Sequence, residues 1–256
     1  MRASLGAFVR VGENQPGFVS LLDLEFFVLV GVTGVGKTTT LEALEQAGFG
    51  FSSLPDRRLV TDVVMIEPLA GKSISDREER FALTAKYREL HPGGMAQAIG
   101  MLQLDLEHLK PPLIFDGLRG LDEVSYAANH YPKARFIVLD APDEIRVERL
   151  LERSDAFDAV TTTSLIGNTL EQLNAIKSVS QVFTVSQLEK LAALELTRLS
   201  VNEIVAKTKI VISERRNYNP IEARDFLVQL GTKRVLYLDT TAAAPEIIAK
   251  RIIEWV

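Results

Sequence analysis

Short apolar runs alternate with longer amphipathic stretches along most of the chain, the rhythm of an α/β domain. Glu25-Phe-Phe-Val-Leu-Val30 predicts a buried parallel strand, because its apolar residues are continuous rather than alternating. After a Gly-rich turn, Leu41, Leu44 and Ala47 share one helical face, and Gly48 supplies a stop. Residues 48–54 read as a short second strand. Ser75-Asp-Arg-Glu78 has the form of a capping box and predicts a helix with Phe81, Ala85 and Arg88 on one side, broken at His91-Pro-Gly-Gly94. Met95, Ile99, Leu102, Leu106 and Leu109 form a stripe that predicts a helix from Met95 to Lys110, ended by Pro111-Pro112. A strand at Leu113–Asp116, a helix at Asp122–His130, a strand at Ala134–Asp140 and a helix from Pro142 to Arg153 continue the alternation.

Residues 154–208 depart from it. They begin polar and then turn helical over Thr169–Ser180 and again from Thr184, where Thr184…Gln187 and Ser186…Glu189 form overlapping capping boxes. We expect an inserted helical subdomain there. Lys209-Ile-Val-Ile-Ser213 is expected as a strand, Pro220–Leu230 as a helix, Arg234–Asp239 as the last strand and Pro245–Trp255 as a closing helix. The expected division is an arm at 1–23, a main domain at 24–153 and 209–256, and the insertion at 154–208. Gly6, Gly12, Pro16 and Gly17 mark residues 1–22 as a loose arm or small hairpin without a signal-peptide pattern.

Composition narrows the functions. A hydrophobic content of 46% is ample for a core. A net charge of −5 argues against a binder of polymeric nucleic acid, though not against local arginine clusters. The chain has no Cys, which excludes disulfides, thiolate zinc sites and cysteine nucleophiles and fits a cytoplasmic protein. The most apolar stretch, Val19–Val32, carries Asp23 and Glu25 and is too short to span a membrane.

Chemistry concentrates in Gly31-Val-Thr-Gly-Val-Gly-Lys-Thr38, which matches G-x-x-x-x-G-K-[ST] between a predicted strand and a predicted helix. Its glycines let the main chain approach an anion closely. The N–H groups of Thr33, Gly34, Val35, Gly36, Lys37, Thr38 and Thr39 are expected to form a nest at the positive end of a helix. Lys37 reaches the β- and γ-phosphates, and the Thr38 hydroxyl is placed for Mg²⁺. Asp116 ends an apolar strand downstream of that loop, where a carboxylate holds the same metal or its water. Arg57 and Arg58 are either a phosphate clamp or a solvated pair, and Arg88 faces either substrate or solvent. Arg146, Arg149 and Arg153 line one helical face, as an ion-pair row or as cations that meet phosphates. Arg215 and Arg216 make a further basic group.

Four motifs, in order, resemble the P-loop nucleoside and nucleotide kinases, the group of adenylate kinase and dephospho-coenzyme A kinase. They are Gly31–Thr38, the turn Asp116-Gly-Leu-Arg119, the strand and arginine helix over Val138–Arg153, and the last strand and helix over Val235–Val256. The resemblance implies a three-layer α/β/α fold with a five-stranded parallel sheet plus the helical insertion. It also implies ATP as phosphoryl donor, Mg²⁺, and an acceptor site at residues 55–95. Arg119 would then hold an acceptor phosphate, and Arg149 and Arg153 would be lid arginines on the transferred phosphoryl. Lys37, Asp116, Arg149 and Arg153 are thus the expected catalytic set, with Arg57, Arg58, Arg88, Arg119, Arg215 and Arg216 towards a small-molecule acceptor. A hydrolysing NTPase switch and a non-catalytic ATP-binding module are the competing readings. The first lacks a Glu after Asp116 and an Asn-Lys-x-Asp motif.

Overall fold

The computed structural model describes residues 4–12, 15–152, 169–197 and 199–256. In chain order, β1 (Val9–Val11), β2 (Val19–Ser20) and β3 (Phe26–Val30) precede α1 (Lys37–Gln46) and β4 (Ser52–Ser53). Next come α2 (Arg57–Val60), a π-helical stretch over Thr61–Ile66, α3 (Glu67–Ala70), α4 (Arg77–Leu90) and α5 (Gly94–Ile99). β5 (Leu102–Leu104), β6 (Leu113–Leu118), α6 (Leu121–His130), β7 (Ala134–Asp140) and α7 (Asp143–Glu152) follow. The chain closes with α8 (Thr169–Asn174), α9 (Val185–Ala193), α10 (Val201–Tyr218), α11 (Pro220–Val228), β8 (Val235–Asp239) and α12 (Pro245–Trp255).

Five strands make one parallel sheet in the order β4-β6-β3-β7-β8. β3 is central because its five residues are apolar and all buried, so neither face needs solvent. Alternation along the strand decides which layer each residue fills. Phe26, Val28 and Val30 pack with Phe115, Phe136, Val124 and Leu227, whereas Phe27 and Leu29 pack with Leu44, Ile137, Leu238 and Ile252. Helices α5, α6 and α11 therefore cover one face, and α1 and α12 cover the other. This is the three-layer α/β/α arrangement that the motifs imply.

A third apolar cluster lies between α7 and the helices α8–α10. Val147 and Leu150 of α7 meet Phe183, Leu188 and Leu191 around α9 and Ile204, Val205, Val211 and Ile212 of α10. The Thr184 capping box is formed with Gln187, so α9 starts where the first of the two sequence signals puts it.

Two expected elements differ. The helix over Met95–Lys110 stops at Ile99. Leu102–Leu104 is a strand buried throughout and paired antiparallel on both edges, with β1 through Val9↔Leu104 and with β2 through Val19↔Leu104. The spacing of Leu102 and Leu106 fits a helix, but Leu102 and Leu104 also fit a strand once two partners exist. Those partners come from the N-terminal arm, where β1 and β2 pair with β5 rather than with each other. The expected strand Lys209–Ser213 lies inside α10. A second capping box, in which Ser200 accepts from the Glu203 amide at 3.2 Å and Glu203 reaches back to the Ser200 amide at 3.1 Å, starts an uninterrupted helix of 18 residues. Ile204, Val205, Ala206, Thr208, Val211 and Ile212 are buried nearly all round it, so a β-branched run looks the same in either state. At α4 the cap is Asp76, bonded to the Glu79 amide at 2.8 Å, one residue past the expected Ser75.

Ser200→Ala removes the α10 cap. It should cost about 1 kcal/mol of unfolding free energy in urea titrations; an unchanged midpoint would mean that α10 does not begin at this cap.

Candidate active site at the glycine loop

β3 ends at Val30, and the chain must turn sharply to start α1 at Lys37. Gly34 and Gly36 take φ of +86° and +95°, where a side chain is strained. A Cβ on Gly34 would also lie 3.0 Å from the Arg146 carbonyl oxygen. Gly36 caps α1 without a side-chain hydrogen bond, and the first turn of the helix holds no acidic residue. The first amides of any α-helix lack intrahelical partners. Here they face the loop with neither a side-chain cap nor a nearby carboxylate on their own turn, a setting that favours an external anion.

Lys37 lies across the loop. Its Nζ donates to the Gly31 carbonyl at 2.9 Å and stands 3.8 Å from Asp116 Oδ1. The sheet brings the pair together: Leu29 on β3 is opposite Asp116 on β6, and a bulge then skips Gly117, so that Val30 faces Leu118. Gly117 is required by crowding, since a Cβ there would meet the Phe115 ring at 2.9 Å and Arg57 Cβ at 3.0 Å. Asp116 Oδ1 is buried with no hydrogen-bond partner. Thr33, Lys37, Thr38 and Asp116 line one cavity of about 280 Å³. A carboxylate oxygen without a hydrogen bond and a hydroxyl beside this cavity suit a hard divalent cation that keeps water and phosphate oxygens as its other ligands. Among the described residues, no three of His, Cys, Asp or Glu gather as a metal cage.

An ion network closes one side of this loop. The Glu214 carboxylate, on α10, accepts from the Thr33 amide at 3.1 Å and from the Thr33 hydroxyl at 2.6 Å. It also pairs with Arg119 at 3.1 Å and with Arg146. Arg146, with 1% of its side chain exposed, donates through Nη1 to Asp143 at 2.6 Å and through Nε to the Thr33 carbonyl at 2.8 Å. Arg215 Nε binds the other Asp143 oxygen at 2.6 Å. The charges alternate in sign, so each buried ion lies against an opposite one.

A second cavity, of about 500 Å³, is lined by Arg58, Arg80, Arg88 and Arg119, with Met65, Phe81 and Tyr218 as apolar wall. Arg57 borders it but is committed elsewhere: it forks onto both Glu123 oxygens, at 2.8 and 2.6 Å, and donates to the Gly117 carbonyl. Burial opposes the Arg57 charge, yet the Glu123 carboxylate more than offsets this and raises its pKa above the ordinary guanidinium value. Arg57 and Arg119 both stand over the Tyr218 ring, at 5.8 and 5.7 Å from its centroid. Arg119 Nε is buried without a partner.

Residues 28–160 match the family described as AAA domain. The chain belongs to the AAA domain family. A UPF0200 protein of Thermococcus gammatolerans is 29% identical over 139 residues, which is 52% of this chain and 69% of that protein. Among solved structures, a shikimate kinase of Acinetobacter baumannii in complex with shikimate gives a TM-score of 0.40 at 15% identity, covering 90% of this chain and 92% of its own. A sugar kinase from a Janibacter species gives 0.36 at 16% identity, covering 90% and 93%.

In this AAA domain chain the other arginines fall in three places. Arg149 lies behind the loop, donating to the Gly34 carbonyl at 3.2 Å and to the Thr240 hydroxyl at 2.9 Å. There it lines a separate cavity of about 370 Å³ with Thr39 and Thr40. Arg216 is exposed on α10. Arg153 lies outside the described residues. Glu214, Glu123 and Thr240 were not singled out from the sequence. Only the charge run at 214–216 and the acidic start of α6 hinted at the first two, and neither says which partner a carboxylate will meet.

Arg146→Met removes the buried cation that Asp143 and Glu214 share, leaving them only Arg215 and Arg119. It should cost about 3–5 kcal/mol of stability, read from chemical denaturation; a loss below ~1 kcal/mol would show the cluster to be solvated.

Proposed function

We propose that this protein transfers a phosphoryl group from ATP, held with Mg²⁺, to a small anionic acceptor. One observation carries the reading: Arg57, Arg58 and Arg119 line both the loop cavity, which holds Lys37, Thr38 and Asp116, and the arginine cavity. A donor on the loop and an acceptor among the arginines would then present their reacting groups to each other, and such transfer depends on placement and charge neutralisation more than on covalent help.

The roles follow from position. The amides from Thr33 to Thr39 cradle the donor phosphates, and Lys37 balances their charge. Thr38 and Asp116 would hold Mg²⁺, which neutralises the β- and γ-oxygens when bound. Arg149, with Thr39, Thr40 and Thr240 around it, borders the donor nucleoside rather than the transferred group. Arg119 faces the acceptor anion together with Arg58, Arg80 and Arg88, while Met65, Phe81 and Tyr218 take its apolar body. Arg57 supports this wall through Glu123 instead of gripping substrate. The helices between α7 and α11 act as a lid that excludes water as a competing acceptor.

ATP, Mg²⁺ and a panel of phosphorylated and carboxylated metabolites should give ADP release that depends on one acceptor class. Lys37→Ala should lower that rate at least 100-fold, on the order of the loss of one preorganised cation at the transferring group. Equal release without any acceptor would favour a hydrolase, and binding without turnover would favour a nucleotide-binding module.

A further inference from the structure

Glu214 is an anion in an anion's place. Its carboxylate is held by a main-chain N–H and a hydroxyl of Thr33 and by the guanidiniums of Arg119 and Arg146. Thr33 and Arg119 also line the loop cavity with Lys37 and Thr38. An amide, a hydroxyl and two guanidiniums converging on one point are the donors that a phosphoryl group takes. Lys37 Nζ donates to the Gly31 carbonyl at 2.9 Å and stands 3.8 Å from Asp116 Oδ1.

We propose that Glu214 is an internal competitor for the γ-phosphate. It occupies the outer seat of the loop while that seat has no terminal phosphate, and it must be displaced when ATP binds. The inference rests on the ATP reading above and adds a selectivity to it. A γ-phosphate and the Glu214 carboxylate cannot share one set of donors, because two anions a few ångströms apart repel strongly where water is scarce. ADP, which carries no third phosphate, fills the inner loop and leaves the carboxylate in place. Displacement also breaks the Glu214 contact with Arg119, whose guanidinium then meets the terminal phosphate at the border of the acceptor cavity. Arg146 keeps Asp143 as its partner throughout.

Nucleotide affinities of wild type and Glu214→Gln, measured by calorimetry with Mg²⁺, test this. The variant should bind ATP about tenfold tighter while its ADP affinity stays within about twofold. A residue that only held the fold would weaken both nucleotides together. Because Glu214 is buried, the wild type supplies an independent reading: hydrogen exchange across residues 209–218 should increase on adding ATP and stay unchanged on adding ADP. An unchanged ratio of ATP to ADP affinity, or equal exchange with the two nucleotides, overturns the competitor role and leaves the ATP site standing. Failure of wild type to bind either nucleotide overturns both.

Discussion

The parallel pairing of β3 with β6 on one side and β7 on the other is the constraint on which the site depends. Parallel strands point their C-terminal ends the same way, so the glycine loop, the Asp116 turn and the start of α7 emerge together at one edge of the sheet. Nothing in the loop itself brings a carboxylate to Lys37. The register Leu29↔Asp116 does, and the skipped Gly117 gives the strand the local bend that an even ladder lacks.

On that frame, charge is arranged in two distinct ways. Around Arg146 the ions are buried and saturated with one another, and this cluster ties α7, α10 and the loop into one body. Such a cluster specifies geometry more than it adds stability, since much of its attraction is offset by lost hydration. In the arginine-lined cavity the cations outnumber the anions, and only some are neutralised internally. Arg57 has Glu123, Arg80 has Asp62 and Arg119 has Glu214, although Arg119 Nε is buried without a hydrogen-bond partner. A cavity whose lining guanidiniums outnumber its carboxylates, beside an apolar wall, suits an anionic ligand with an apolar body.

Much of this was legible in the residues. Gly31–Thr38 locates the loop because its glycines and lysine have few other uses at that spacing, and continuous apolar runs such as Phe26–Val30 mark strands covered on both faces. The closing elements from Pro220 onward were also clear, because Pro at a helix start and a short apolar strand are local signals. What escaped was non-local. Leu102–Leu104 is a strand because β1 and β2, some ninety residues earlier, supply both edges. Ile210-Val-Ile212 is helical because the insertion and α7 surround it, and apolar content alone does not separate a buried strand from a buried helix. The partners of Glu214 and Glu123 escaped for the same reason. A carboxylate's role is set by which cation the fold brings opposite it, and Thr33 lies 181 positions from Glu214.

The unbroken run of α10 has a mechanical consequence. Eighteen residues of helix make a rod of roughly 27 Å. Its first half is embedded in the insertion's apolar cluster, and its last turns carry Glu214 against the glycine loop and Tyr218 against the arginines. A stiff rod cannot move one of these without the other. Any tilt of α10 would thus be delivered to the two sides of the cleft at once, and needs no chain of small rearrangements to carry it.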